Sequence, residues 1–168
     1  FSGWKTNSAF KVNKRVVLPI YGSYGGAFTD SYHDKWGLNR GAEDQLRDID
    51  IVMNYFDGMH YYLSMGQAIR EAFSKGKNTK STSKYFTVNC YKKGTIHLTF
   101  NDDDILRRFN VVACKGKSWL PCDYGAKAYT DLGGEEKAVV DAFEGSESYA
   151  LNRSKALFAV TPQLQLAA

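Results

Sequence analysis

The sequence predicts an α+β domain in which a central antiparallel β-hairpin or small sheet packs with about five helices. Between Lys84 and Phe100, apolar and polar residues alternate with the period of two half-buried strands. Several flanking stretches instead repeat their apolar residues every three or four positions, as amphipathic helices do. With 168 residues, the chain is long enough for a single domain, 1–168, that buries about two-thirds of its unfolded surface.

The length of the hairpin loop follows from the alternation. A two-residue loop at Lys93 and Gly94 would pair Cys90 with His97 and mix apolar with polar residues on each face. A three-residue loop at 92–94 pairs Cys90 with Ile96 and puts Gly94 where a positive φ is needed. This register keeps the apolar side chains of both strands on one face, namely Phe86, Val88, Cys90, Ile96, Leu98 and Phe100.

The other face of the hairpin is predicted to be polar and aromatic, without an acidic residue. In this register His97 lies opposite Asn89, beside Tyr91 and Thr95. Tyrosine is common where one side of a ring is packed and the other is wet, so this face is a candidate contact surface. Its predicted members are Tyr85, Thr87, Asn89, Tyr91, Thr95, His97 and Thr99.

Helical periodicity predicts the elements around the hairpin. Helices are expected over 42–56, over 59–73, from a cap at Asn101 or Asp102, over 135–143 and over 147–160. The first of these has an inward stripe consisting of Leu46, Ile49, Val52, Met53 and Phe56.

The remaining segments carry weaker patterns. Residues 15–21 are predicted to form a strand, and Pro19 argues for a sheet edge or for the end of the strand. Residues 1–14 are interpreted as a loose arm, 76–84 as a polar linker and 161–168 as a frayed tail.

Composition and charge limit the classes of partner. The net charge of +4 and the pI near 8.9 permit nucleic-acid binding without requiring it. Cys90, Cys114 and Cys122 are an odd number without metal-binding spacing, which favours a reducing cytoplasm and predicts no zinc site. The sequence has no run of about 18 apolar residues and no charged-then-apolar leader, so we expect neither a membrane span nor a signal peptide.

One stretch also resembles a known family. Residues 91–110, YKKGTIHLTFNDDDILRRFN, are similar to a signature of DUF4942 in which Lys-x-Gly-x-x-His-Leu-x-Phe is followed by an acid-Leu pair and then by Phe-Asn or Leu-Asn. The resemblance covers the central hairpin and helix, and His97 occupies the histidine position. It implies a domain of bacterial mobile elements and phages, in some cases within a larger parent chain such as a methyltransferase, and it implies no established activity.

The first functional hypothesis is a nucleic-acid-associated accessory domain that binds DNA or RNA without a cofactor. Tyr85 and Tyr91 are predicted to stack on bases, with Asn89 beside them. Five lysines of the linker and the hairpin tip are predicted to form a basic margin that contacts phosphates, namely Lys77, Lys80, Lys84, Lys92 and Lys93.

The second hypothesis is a small nuclease, and the sequence does not decide whether the domain is an enzyme. A neutral His97 could act as general acid or base while Arg107, Arg108 and Lys92 balance phosphate charge. A structural histidine that hydrogen-bonds across the sheet is the competing interpretation. The acidic run 102–104 suggests magnesium, but three consecutive acids at a helix start diverge and one caps the helix, so no metal site is predicted. A third hypothesis is a protein-interaction module of a defence or anti-defence system that uses the same aromatic face.

Overall fold

The computed structural model describes residues 11–19, 38, 40–59, 64–75, 79–91 and 94–158. The predicted α+β class is confirmed. The predicted arm enters the described residues only at 11–14, and the predicted tail lies outside them. The elements in chain order are β1 (Arg15–Pro19), α1 (Arg40–Phe56), α2 (Met65–Ser74), β2 (Lys80–Thr82), β3 (Phe86–Tyr91), β4 (Thr95–Phe100), α3 (Asp103–Gly116), a 3₁₀ turn (Tyr129–Asp131), α4 (Gly134–Phe143) and α5 (Ser146–Asn152).

The four strands form one antiparallel sheet in the order β1-β4-β3-β2. β3 and β4 pair in the predicted register, with Phe86 opposite Phe100 and Cys90 opposite Ile96. In the connection, Gly94 has a φ of +84°, an angle at which a side chain would be strained. The prediction of a three-residue loop is therefore confirmed.

β1 and β2 occupy the two edges of the sheet. β1 pairs with β4 and ends at Pro19, which has no N–H to donate, so the predicted position of this proline at a sheet edge or strand end is confirmed. β2 lies within the segment predicted to be a linker, and that prediction is wrong for 80–82. The sequence shows no alternation of apolar and polar residues in β2, because Ser81, its one inward residue, is polar like its neighbours Lys80 and Thr82.

One face of the sheet packs against α1, α2 and α3 and forms the main core. All six side chains predicted to share the apolar face of the hairpin are buried there. The rings of Phe86 and Phe100, whose centroids are 4.7 Å apart, contact each other across β3 and β4. The helices contribute the remaining buried side chains, among them Leu46, Met53, Phe56, Met65, Ile69 and Ile105.

The helix bounds differ from the prediction at several points. α2 begins at Met65 rather than at 59, because Ser64 Oγ accepts the Gln67 N–H as the N-cap. Val52, predicted to point inward, is 41% exposed because its neighbour Met53 takes the inward position. The final helix, α5, ends at Asn152 rather than at 160.

α4 and α5 form a smaller layer beyond the second half of α3. Cys114 and Leu120 pack with Phe143, and Val140 packs with Tyr149. Among the described residues, no helix combines the length and the apolar character needed to cross a bilayer.

Candidate nucleic-acid interface

The side of the sheet opposite to the helices is called the open face. None of its residues is buried. The four strands have the sequences RVVLP, KST, FTVNCY and TIHLTF, so no acidic residue lies within them. The open face is therefore accessible and polar, and its charged side chains are positive. Its members are Arg15, Val17, Pro19, Lys80, Thr82, Thr87, Asn89, Tyr91, Thr95, His97 and Thr99.

The central row of the open face crosses all four strands. Val17 lies opposite His97, and Asn89 lies between His97 and Lys80. Because neighbouring strands are about 4.8 Å apart, this row is about 14 Å long. Arg15 and Lys80 stand on the two edge strands, and the neutral hydrogen-bonding groups stand between them.

His97 contacts two other side chains of the open face. Arg15 Nη2 donates to His97 Nδ1 at 2.5 Å, and the Tyr91 ring lies 4.3 Å from the imidazole between centroids. Because a guanidinium only donates, Nδ1 accepts, and the proton of the neutral imidazole is on Nε2. Desolvation, and then the charge of Arg15, lower the pKa of His97. His97 is therefore a neutral hydrogen-bond donor at pH 7.

The centre of the open face has hydrogen-bonding capacity that the described chain does not use. Within the described residues, the Asn89 amide has no hydrogen-bond partner, and Nε2 of His97 has none either. An amide supplies both donors and an acceptor. Thr87 differs, since its hydroxyl donates to Asn101 Oδ1 at 2.9 Å. Asn89 and His97 thus present free donors and an acceptor side by side.

Tyr85 and Lys84, both predicted members of the interface, lie elsewhere. β3 begins at Phe86, so Tyr85 lies in the preceding turn, where the alternation does not apply. Its side chain is 4% exposed, and its hydroxyl contacts Asn54 Oδ1 at 3.2 Å and Asp57 Oδ2 at 3.3 Å. Lys84 pairs with the same Asp57 carboxylate at 2.5 Å. The prediction that Tyr85 is exposed for stacking is wrong, and Lys84 lies beside the end of α1.

Arg107 and Arg108 are not brought to His97. Both lie on α3, which packs against the opposite side of the sheet, and their side chains are 13% and 11% exposed. Arg107 forms two hydrogen bonds to the Glu144 carboxylate, at 2.5 and 2.8 Å. Arg108 donates to the carbonyl oxygen of Phe56 at 2.9 Å. The predicted catalytic grouping of these arginines with His97 is therefore not formed.

The Arg107–Glu144 pair joins α3 to the end of α4. The hydroxyls of Tyr124 and Ser148 also donate to Glu144, at 2.9 and 3.1 Å. Burial raises the pKa of this carboxyl, but the hydrogen bonds from Arg107 and Tyr124 outweigh burial and hold the pKa below its usual value. A carboxylate with all of these donors serves the packing of the helices.

The remaining predicted lysines divide into two groups. Lys80 is exposed on the open face. Lys77, Lys92 and Lys93 lie outside the described residues. Arg15 is a member of the open face that was not predicted, although β1 alternates with exposed residues at 15, 17 and 19. The sequence carries no signal that β1 pairs with β4 beside His97.

The three acids of 102–104 have separate partners. Asp102 Oδ1 accepts the Asp104 N–H at 2.7 Å and caps α3, while Asp103 pairs with Lys14 at 2.8 Å. Asp104 pairs with Arg108 at 3.0 Å. Within the part of the chain that the structure describes, no group of three or more His, Cys, Asp and Glu side chains could hold a metal ion.

Comparison with known proteins identifies one family. The family model of DUF4942, a domain of unknown function, matches residues 1–119. No curated protein and no solved structure matches the chain. The matched residues contain all four strands and α1 to α3, including every described member of the open face. Because the match spans more than half of the chain, this protein belongs to the DUF4942 family.

Proposed function

We propose that this domain is an accessory module that binds nucleic acid, DNA or RNA, on the open face of its sheet. The observation that carries the proposal is the composition of this face. Strands without an acidic residue place Arg15 and Lys80 on either side of Tyr91, Asn89 and His97. Cationic side chains bind phosphates, while aromatic rings and amide groups bind bases, so one accessible surface has both kinds of group.

A nuclease that uses His97 has less support. Arg15 occupies Nδ1, so the neutral imidazole has no free lone pair with which to act as a general base. Arg107 and Arg108 are held by partners on the other side of the sheet. Incubating DNA and RNA with the protein, with and without a chelator, tests this alternative. Cleavage that disappears in His97→Ala would establish it.

Fluorescence anisotropy with labelled oligonucleotides, between about 50 and 200 mM salt, tests the binding proposal. The double variant Arg15→Gln/Lys80→Gln removes two positive charges from the open face. We expect weaker binding and a salt slope smaller by about 1.4, because each phosphate contact of a single strand contributes about 0.7. If the open face binds a protein instead, the affinity for nucleic acid should not show this dependence on salt.

The matched control is the double variant Arg47→Gln/Lys117→Gln. It removes the same charge from exposed positions on α1 and after the end of α3. Its affinity and salt slope should stay close to those of the unmodified protein. Absence of binding by the unmodified protein, or equal losses in both double variants, would reject the open face as a nucleic-acid site.

The biological setting is a further part of the proposal. The three cysteines are free thiols, which suits a reducing compartment such as the cytoplasm. An origin in a bacterial mobile element or phage, and a place in a larger chain such as a methyltransferase, remain predictions. Identification of the genes beside this one would test them.

A further inference from the structure

We infer that the open face takes an unpaired, single-stranded segment of nucleic acid in preference to a duplex, with one base edge held by Asn89 and His97. The inference rests on the proposed function and adds the form of the nucleic acid to it. Three features of the open face support it: the width of the sheet, the unused hydrogen-bonding groups at its centre and the position of its charges.

The open face is too wide to read a duplex from within a groove. Its central row is about 14 Å long from Val17 on β1 to Lys80 on β2, and the atoms of the two edge strands make the sheet wider still. The major groove is about 12 Å wide and admits a helix or a two-stranded ribbon. Asn89 and His97 lie on the two middle strands, so they cannot reach a paired base from outside the groove. A base must come out of its pair to meet them.

The groups at the centre of the open face match the edge of a base. The Asn89 amide can donate and accept at once, which is how amide side chains bind base edges. His97 lies directly opposite on β4 and adds the Nε2 donor. Because Arg15 occupies Nδ1, the imidazole is fixed in the tautomer that donates from Nε2.

Tyr91 and the two edge cations complete the match. Tyr91 is 42% exposed beside His97, which leaves ring surface on which a base can stack. Arg15 and Lys80 lie on opposite edge strands. A strand that crosses the sheet can therefore place phosphates at both margins while its base lies at the centre. A single strand can follow this path because its backbone is free to bend.

The test compares a labelled single strand of mixed sequence with the same sequence in a duplex, both as DNA and as RNA, at one salt concentration. We expect the single strand to bind at least about 10-fold more tightly than the duplex. Asn89→Thr removes the amide and keeps a residue that favours strands, and Tyr91→Ala removes the ring. Each variant should bind the single strand roughly 10-fold more weakly and bind the duplex as the unmodified protein does. Tyr55→Ala, which removes a 71% exposed tyrosine of α1, is the matched control and should bind normally.

The outcomes separate this inference from the proposed function. If neither form of nucleic acid binds, the proposed function fails. If the duplex binds as tightly as the single strand, or if both variants weaken the two forms equally, the proposed function survives and the inference is overturned. A preference for RNA or for DNA identifies the source of the strand, and either preference supports the inference when the matching duplex binds more weakly. Thermal melting of each variant establishes that it is folded at the assay temperature.

Discussion

Asp50 gives the protein a pH-dependent stability that one substitution should remove. Its carboxyl lies on α1, and the residue is 1% exposed. Oδ2 accepts the Met65 N–H at 2.7 Å at the start of α2, whereas Oδ1 has no hydrogen-bond partner among the described residues. Burial raises the pKa of Asp50 from 3.8 to about 6, although the Met65 hydrogen bond acts in the opposite direction. The folded protein therefore binds this proton more tightly than the unfolded chain does.

The sign and size of the effect follow from this difference in pKa. Because the folded-state pKa is the higher one, the contribution to stability is present below pH 3.8 and is lost as the pH rises through about 6. At about 1.36 kcal/mol for each unit of pKa, ionisation lowers the free energy of unfolding by about 3 kcal/mol. Asp50→Asn has nearly the same shape and cannot ionise. Relative to the unmodified protein, its free energy of unfolding should therefore rise by about 2 kcal/mol between pH 4 and pH 7, because the carboxyl of the unfolded chain is already partly ionised at pH 4.

Urea unfolding at several pH values in this window measures the difference directly. In the variant, the amide group at the position of Oδ1 has no acceptor, which lowers the free energy of unfolding by about 1–3 kcal/mol. This loss is the same at every pH, so it does not affect the change in stability between pH 4 and pH 7. Asp48→Asn, at an exposed position of the same helix, controls for the loss of a carboxylate and should not reproduce the effect. If the stability curves of Asp50→Asn and the unmodified protein stay parallel from pH 4 to pH 7, the argument from burial is refuted.

Three further predictions concern the hairpin. Ile96 is fully buried, so Ile96→Asp leaves an unpaired carboxylate in the core and should abolish cooperative melting measured by circular dichroism. The control Thr95→Asp changes a residue of the open face and should still melt cooperatively. His97→Ala removes one ring contact and the acceptor of Arg15, so it should lower the free energy of unfolding by about 1 kcal/mol or less. If His97 were a structural histidine whose loss leaves a buried partner unsatisfied, the same variant would lose about 1–3 kcal/mol. Because desolvation and then the charge of Arg15 lower the folded-state pKa of His97, its contribution to stability should decline as the pH falls below 6.5 and through the folded-state pKa. An NMR titration midpoint at or above 6.5 would contradict this lowering.

The hairpin was predictable because two local constraints agree on it. The alternation from Phe86 to Phe100 and the need for a positive φ at Gly94 permit one short register, which the structure adopts. The same alternation gave a wrong result at Tyr85, one residue before the strand begins. Outside the strand the side chain follows the turn, and the hydrogen bonds to Asn54 and Asp57 draw it to the helical side.

The pairing of distant segments was not predictable in the same way. β2 contains only polar residues, so its place beside β3 has no signature in hydrophobicity. Arg107 and Arg108 look like exposed cations in the sequence. Asp104, a partner of Arg108, is one turn away, but Glu144 after α4 and the Phe56 carbonyl at the end of α1 are far away along the chain. Local patterns indicate which way a side chain points, but they do not indicate what it meets.

The chemistry of the candidate site depends on such a distant contact. The alternation alone places His97 on the open face, where it is open to use as an acid, a base or a donor. Arg15, 82 positions earlier in the chain, selects among these roles, because its guanidinium occupies Nδ1. Its charge also adds to desolvation, the larger cause, in disfavouring the imidazolium. Loss of that contact would free a lone pair and raise the pKa of His97. Arg15→Gln should therefore move the NMR titration midpoint of His97 upward, and an unchanged midpoint would show that Arg15 does not control the imidazole.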